Sequence, residues 1–164
     1  MKRRAIAFTG PSNSGKTTLI EKITKHLIST YQIAIVKHDP KDKAVFDTQG
    51  KDSYIFAHTG AETVVVSPTR TTYFSKRSKS IEEIIDMIKD FDFLFVEGLK
   101  TLPLPRIAIF RHQIDESYFP YANAIAIDKS VDIRAYQIPN AISILDLNDI
   151  DEIIAWIITH AKEV

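Results

Sequence analysis

The stretch Gly10-Pro11-Ser12-Asn13-Ser14-Gly15-Lys16-Thr17 matches the pattern G-x-x-x-x-G-K-[ST], the Walker A or phosphate-binding loop. The apolar run Ala5–Phe8 comes directly before it and predicts a buried strand. Residues 18–28 follow with apolar side chains at helical spacing and predict a helix. A strand, a glycine loop and a helix in this order direct backbone N–H groups and the positive end of the helix dipole at one point. The stretch therefore predicts binding of the phosphates of a nucleoside diphosphate or triphosphate.

Each residue type in this loop has a chemical reason to be there. The two glycines allow backbone angles that a side chain would forbid. We expect Lys16 to reach the β- and γ-phosphates and the Thr17 hydroxyl to ligate Mg²⁺. The predicted nucleotide-binding residues of the loop are Gly10, Ser12, Asn13, Ser14, Gly15, Lys16, Thr17 and Thr18.

The composition is that of an ordinary globular protein. The chain has 164 residues, 21 Lys plus Arg and 21 Asp plus Glu, so its formal net charge is zero. This balance gives no support for a nucleic-acid or membrane partner. The sequence has no cysteine, which excludes disulfides and thiolate metal sites and fits a cytoplasmic protein. The apolar run after Met1–Arg4 is too short for an export signal, and we expect a soluble protein.

Apolar strands alternate with helical stretches along the chain. This alternation predicts an α/β fold with a mostly parallel, two-sided sheet. Together with the phosphate loop, it indicates a P-loop NTPase-type three-layer sandwich in a single domain over residues 1–164. Predicted helices cover residues 18–28, 53–58, 81–88 and 150–161, the third preceded by a capping box of Ser80 and Glu83. The predicted strands are Ala5–Phe8, Ile33–Val36, Thr63–Val66, Thr71–Phe74, Phe93–Val96, Ile107–Phe110, Ala124–Ile127 and Ile142–Leu145, of which Ile33–Val36 and Phe93–Val96 are expected to be buried.

Several polar residues follow predicted strands, where parallel sheets bind their ligands. Glu97 ends an apolar strand as a Walker B acid does, and we predict that it holds Mg²⁺ or positions an attacking water. His38 ends the second strand and opens a long polar loop that contains Asp47, Lys51 and Asp52. A loop of this length in a compact domain favours a functional role.

Four basic residues at predicted strand or loop ends form a candidate receptor for an anionic second ligand. They are Arg70, Lys100, Arg106 and Arg111. The segment Asn-Lys-x-Asp, which many guanine-nucleotide proteins use to read the base, is missing. Ile127-Asp128-Lys129-Ser130 occupies a comparable place, and Asp128 has the chemistry to accept hydrogen bonds from a guanine. The residues alone leave the choice between GTP and ATP open.

Taken in order, the motifs resemble the molybdopterin-guanine dinucleotide biosynthesis protein B family over nearly the whole chain. The loop after His38 departs from the family pattern, since relatives often carry further histidines where this chain has Asp39-Pro40-Lys41. The landmarks are Gly10–Thr17, Ile35-Val36-Lys37-His38, Phe46-Asp47, Gly50-Lys51-Asp52-Ser53-Tyr54, Gly60-Ala61, Val96-Glu97-Gly98-Leu99-Lys100, Pro105-Arg106-Ile107, Phe110-Arg111 and Leu145-Asp146-Leu147-Asn148-Asp149.

The resemblance implies a GTP-binding homodimeric adapter in molybdenum cofactor biosynthesis. Such an adapter assists the nucleotidyltransferase that joins GMP to molybdopterin, and at most it is a slow GTPase. Carried over by position, Lys16 and Glu97 are the catalytic residues, and Thr17 and Glu97 hold Mg²⁺. His38, Asp47, Lys51, Asp52 and Lys100 join the loop as residues that face GTP or molybdopterin. Slow turnover agrees with a sequence in which no arginine finger or catalytic glutamine is evident.

Two other functions remain open from the residues. A small P-loop kinase of a metabolite would have this length, with Asp39 as the acid after the second strand and Arg70–Arg77 as a thin candidate lid. A regulatory switch protein has sequence requirements close to those of an adapter.

Overall fold

The computed structural model describes residues 2–164 and divides them into two compact units. The first unit comprises the chain up to His38 together with Ile88–Val164, and the second comprises Asp39–Met87. The helices are α1 Lys16–Leu27, α2 Asp52–His58, α3 Ile81–Ile88 and α4 Ile150–His160. The strands are β1 Arg4–Thr9, β2 Ile33–Lys37, β3 Thr63–Val66, β4 Thr71–Phe74, β5 Phe93–Glu97, β6 Arg106–Phe110, β7 Ala124–Ile127, β8 Ser143–Asp146 and β9 Lys162–Glu163.

The first unit is built on a seven-stranded sheet with β1 near its centre. The strand order is β2-β5-β1-β6-β7-β8, all parallel, and the short β9 pairs antiparallel with β1. The predicted α/β fold with a mostly parallel sheet is therefore confirmed. Because β5 and β6 flank β1, the segments that follow these strands converge on the loop that follows β1.

Both faces of this sheet carry apolar side chains out of contact with water. Alternate residues of β1 and β5, such as Phe8 and Phe95, pack in one cluster with α1 and α4. On the other face, Phe110 and Ile125 pack with Tyr118 of the 3-10 helix Glu116–Tyr121. The two longer helices thus share one face, while short 3-10 turns, which the sequence pattern did not reveal, cover part of the other.

One strand differs from its expected environment. Ile33–Val36 was expected to be buried, but β2 is one of the two edge strands in the order of the parallel strands, and Ile35 is 48% exposed. The apolar run does form a strand, and Ile33 packs against the core cluster while Ile35, on the same face of the strand, is exposed. An apolar run identifies a strand, but the elements that pack on the sheet decide how much of that strand is covered.

The second unit contains α2, α3 and the antiparallel pair β3–β4. The predicted capping box is confirmed, because the Glu83 N–H donates to Ser80 Oγ at 3.2 Å and the Ser80 N–H donates to Glu83 Oε2 at 2.7 Å. Its buried residues are few, with Ala57, Thr63 and Ile85 among them. The prediction that residues 1–164 form one domain stays a prediction. None of the helices within residues 2–164 is long and apolar enough to cross a membrane.

Arg106 holds the connection between β5 and β6. Its side chain is 1% exposed, and its guanidinium donates at 3.0 Å to each of three backbone carbonyls, those of Gly98, Leu99 and Leu102. Burial lowers the pKa of Arg106 from its ordinary value. The expectation that Arg106 helps to receive an anionic ligand is therefore wrong, because its donors are turned inward onto the chain.

Replacing Arg106 by methionine removes these donors at nearly constant side-chain volume. We expect Arg106→Met to lower the free energy of unfolding by roughly 2–4 kcal/mol, because three partly buried carbonyls lose a charged hydrogen-bond donor. Arg134→Met is the matched control, since Arg134 has a side chain that is 88% exposed, and we expect a change within about 0.5 kcal/mol. Urea denaturation followed by circular dichroism measures both, and equal stability of the two variants would contradict this role.

Candidate functional site

The loop between β1 and α1 has the backbone geometry of a phosphate-binding loop. Gly10 and Gly15 have φ angles of +143° and +96°, and Asn13 also lies in the left-handed region with φ +62°. A Cβ atom at Gly10 would collide with the backbone carbonyl oxygen of Ile109 on β6. Only glycine allows β1 to turn into the loop at this distance from its neighbouring strand.

The N-terminus of α1 is open toward the loop. Its N-cap residue is Gly15, which supplies no side-chain hydrogen bond to the first turn. The first N–H groups of a helix have no partner within the helix, so an uncapped N-terminus of this kind favours an anion. Thr17 and Thr18 of this first turn are exposed, as are Ser12 and Asn13 in the loop.

Two side chains of the loop are more deeply placed. Ser14 is 5% exposed, and its hydroxyl oxygen has no hydrogen-bond partner among the described residues. Lys16 is half-buried, and its ammonium donates to the carbonyls of Gly10 at 3.0 Å and Pro11 at 2.6 Å. Burial lowers the pKa of Lys16 and neighbouring Lys37 lowers it further, while the Glu97 carboxylate opposes both. An ammonium in this setting is stabilised by added negative charge.

Glu97 ends β5 and His38 directly follows β2, so both lie at the carboxyl ends of neighbouring parallel strands. Glu97 stands in register with Phe8 on β1 and Lys37 on β2, and its Oε2 accepts from the Lys37 ammonium at 3.1 Å. The His38 N–H donates to the Glu97 carbonyl at 3.0 Å. A Cβ atom on Gly98 would lie 3.1 Å from that of His38. The structure therefore places the predicted residues Glu97 and His38 side by side.

The oxygen donors of this site fit Mg²⁺. Among residues 2–164, there is no group of three His, Cys, Asp or Glu side chains that could hold a metal ion. Mg²⁺ is ordinarily bound through one or two protein oxygens plus phosphate oxygens and water, so it needs no such cluster. The exposed Thr17 hydroxyl and the Glu97 carboxylate, whose side chain is 14% exposed, are donors of the required kind.

Arg111 is a site residue whose placement the sequence did not reveal. It directly follows β6, and a Cβ atom on Gly15 would lie 3.4 Å from its Nε. Asp128, after β7, holds the guanidinium with an Nε–Oδ2 distance of 3.5 Å. Hydrogen bonds from Ser130, followed by the charges of Arg111 and His112, lower the pKa of Asp128. Among the basic residues of the first unit that were expected to receive an anion, Arg111 is the one beside the phosphate loop.

A cavity of about 290 Å³ opens where β7 and β8 end. Asp128 and Lys129 line it from the end of β7, and Leu145 and Asp146 from the end of β8. Asp146 Oδ1 accepts from the Asn148 N–H at 2.8 Å. The cavity lies at the carboxyl ends of β7 and β8, which are farther from β1 in the strand order than β6 is.

The other predicted site residues belong to further segments of the chain. Lys100 has its ammonium 3.8 Å from the centre of the Tyr118 ring, an arrangement typical of a cation–π contact. Asp47, Lys51 and Asp52 belong to the second unit, where Lys51 is the N-cap of α2 and Asp52 its first residue. Their proposed contacts with GTP or molybdopterin stay predictions.

Comparisons with known proteins agree on one family. The family model described as molybdopterin guanine dinucleotide synthesis protein B, MobB, matches residues 5–129. The chain belongs to this family. The crystal structure of Bacillus subtilis MobB resembles this chain with a TM-score of 0.76 at 23% identity, over 97% of this chain and 98% of that one, which confirms the fold.

Two relatives extend this comparison. A protein of Methanocaldococcus jannaschii is 38% identical over 115 residues, which are 66% of this chain and 47% of that protein. The chain thus spans about half the length of that relative. The molybdopterin-guanine dinucleotide biosynthesis adapter protein of Haemophilus influenzae is 28% identical over 165 residues, with 93% of this chain and 86% of that protein covered.

Removing the loop ammonium tests the phosphate site. We expect Lys16→Ala to weaken binding of a nucleoside triphosphate with Mg²⁺ by about a hundredfold or more, because a charged partner of the phosphates is lost. Its unfolding midpoint without nucleotide should be unchanged, since Lys16 bonds only to carbonyls of its own loop. Glu97→Gln is the companion variant, and we expect it to slow hydrolysis more than it weakens nucleotide binding. Wild-type affinity of Lys16→Ala in calorimetric titration would refute the assignment.

Proposed function

We propose that this member of the MobB family is a GTP-binding adapter in the biosynthesis of molybdopterin guanine dinucleotide. It assists the nucleotidyltransferase that joins GMP to molybdopterin. The observation that carries the proposal is the loop from Gly10 to Thr17, whose uncapped helix N-terminus and Lys16 ammonium are the groups that a bound polyphosphate would require. Membership of the family supports a role in this biosynthesis, and the phosphate-binding loop supports binding of a nucleotide.

Guanine is the base that the cavity at the ends of β7 and β8 favours. Asp128 and Asp146 line it, and carboxylates accept hydrogen bonds from the ring N–H and amino group of guanine. Adenine has no such pair of neighbouring donors on one edge. Arg111 lies between the phosphate loop and Asp128, so it would contact the part of the nucleotide that joins the base to the phosphates.

Slow hydrolysis follows from how the charged groups of the site are already engaged. Glu97 is paired with Lys37 and Arg111 with Asp128, so both are held by neighbours before any phosphate arrives. Fast GTPases instead have a free arginine and a residue that orients water against the γ-phosphate. In this proposal Mg²⁺ is held by Thr17 and Glu97 and offsets phosphate charge, and the protein acts by binding GTP more than by consuming it.

We also propose that the chain forms a homodimer through the exposed apolar side chains of β3 and α2. Val64, Val65 and Val66 of β3 are 55%, 39% and 74% exposed, and Ile55 and Phe56 on α2 are 53% and 57% exposed. Among the described strands, β3 pairs only with β4. An exposed apolar strand with an unpaired edge favours pairing with another chain, and a second copy covers the same surface on both partners.

Nucleotide preference is the first test of the function. We expect calorimetric titration with Mg²⁺ to give at least tenfold tighter binding of GTP than of ATP, because Asp128 and Asp146 accept from guanine. Turnover of GTP should stay far below one per second, on the scale of unassisted GTPases. A preference for ATP, with phosphate transfer to an added metabolite, would replace the adapter by the small-kinase alternative.

The oligomeric state tests the apolar surface. We expect light scattering to give about twice the 18.6 kDa mass of the chain for the wild type. Val64→Lys combined with Val66→Lys should give the monomer mass, since the added charges would have to be buried in the interface. Ile144→Lys, a substitution at a 46% exposed position on the edge strand β8, is the control and should remain dimeric. A dimeric double variant would exclude this surface as the interface.

A further inference from the structure

Lys37, the last residue of β2, is a charged side chain that takes no part in the nucleotide contacts proposed above. Its ammonium donates to Glu97 Oε2 at 3.1 Å, and the Lys37 side chain is 64% exposed whereas that of Glu97 is 14% exposed. An ion pair with a largely exposed partner contributes little to stability, because water weakens the attraction and the paired side chains lose freedom. Lys37 can therefore leave Glu97 at small cost when another negative group is within reach.

The register of the sheet places Lys37 on the face that carries α1. Lys37 pairs with Glu97 on β5, and Glu97 pairs with Phe8 on β1. Residues in register on parallel strands point to the same face of the sheet, and Phe8 packs in the cluster that includes α1. Phe8 comes two residues before Gly10, where the phosphate loop begins. Lys37 is therefore one strand beyond Glu97 from the loop, on the same face as the first turn of α1.

The charge of Lys37 acts on the phosphate loop. Burial is the main reason that the pKa of Lys16 is lowered, the Glu97 carboxylate opposes this shift, and the Lys37 ammonium lowers the pKa further. Two ammonium groups and one carboxylate leave this edge of the sheet with an excess of positive charge. The excess adjoins the uncapped N-terminus of α1. A polyphosphate is the kind of group that such a combination favours.

In the proposed function the nucleotide has a direction across the sheet. The base occupies the cavity where β7 and β8 end, Arg111 follows β6, and the phosphate loop follows β1. In the strand order β2-β5-β1-β6-β7-β8, the phosphates then extend from β6 toward β5 and β2. The phosphate farthest from the base is therefore the one nearest to Glu97 and Lys37. A nucleoside diphosphate lacks this third phosphate.

We propose that Lys37 recognises the terminal phosphate of a bound nucleoside triphosphate, exchanging the Glu97 carboxylate for that phosphate. The inference rests on the proposed function, in which Glu97 is also a donor to Mg²⁺ and so no longer serves Lys37 alone. The terminal phosphate is then an alternative partner for the ammonium. Lysine carries its charge on a flexible four-carbon stem, which allows the exchange without a movement of β2. A contact made equally before and during hydrolysis raises affinity for GTP without raising turnover.

Titration calorimetry of the full chain with GTP and GDP, each with Mg²⁺, tests Lys37 through the ratio of the two affinities. We expect Lys37→Met to lower the preference for GTP over GDP about tenfold or more, because GDP lacks the phosphate that the ammonium contacts. Lys22→Met removes the same charge from an exposed position on α1 and is the matched control, which should keep the wild-type ratio. A ratio within about threefold of the wild type in folded Lys37→Met would overturn the inference.

The Glu97→Gln background separates a direct contact from positioning of Glu97. If Lys37 contacts the phosphate, adding Lys37→Met to Glu97→Gln should lower the preference for GTP over GDP by at least the factor seen in the wild type. Loss of the effect in this background would mean that Lys37 acts only through Glu97, and the proposed contact would be wrong.

Failure of the proposed function gives a different result. If the wild type binds ATP more tightly than GTP, the adapter proposal fails, and the ratio of ATP to ADP affinity still tests Lys37. If the wild type prefers GTP over ATP and Lys37→Met leaves the ratio of GTP to GDP affinity unchanged, this inference alone is overturned. Absence of binding of all four nucleotides would overturn both.

Discussion

The close approach of Gly10 to the carbonyl of Ile109 is the constraint on which the phosphate site depends. A side chain at Gly10 would push the loop away from β6, and the N-terminus of α1 would move with it. Because β1 lies between β5 and β6, the loop is bordered on one side by Glu97 and on the other by Arg111. The central position of one strand therefore gathers an anion-binding helix end, an acid and a guanidinium at a single edge of the sheet.

Two arginines at the two ends of β6 have different functions for a physical reason. Arg106 is buried, and it donates to the carbonyls of Gly98, Leu99 and Leu102, which fixes the turn that follows Glu97. Arg111 is exposed to the ligand side, and its bond to Asp128 leaves part of the guanidinium near Gly15. Arg106 therefore fixes the chain next to the candidate site, and Arg111 places a positive charge beside the phosphate loop. Lys16, whose pKa burial lowers, adds a cation that a phosphate would stabilise.

The second unit is organised by polar contacts more than by a core. Its strands β3 and β4 form a sheet of two strands, and such a pair is only marginally stable without further packing. Hydrogen bonds from Ser75 and Arg77 to Glu62, and the capping box of α3, compensate locally. The apolar side chains that remain exposed on β3 and α2 are therefore the surface through which we propose that this unit binds a second copy.

The sequence by itself determined the α/β class, the phosphate loop and the strand-terminal Glu97, because each depends on short-range patterns: apolar runs, glycine spacing and the residue that ends a strand. The capping box of Ser80 and Glu83 is equally local and was equally readable. Only the tertiary structure decided that β2 is an edge strand, that the Arg106 guanidinium donates to backbone carbonyls and that Arg111 lies beside Gly15. These facts depend on strand order and on contacts between residues that are distant in the chain, such as Gly15 and Arg111, and no local pattern encodes which strands become neighbours.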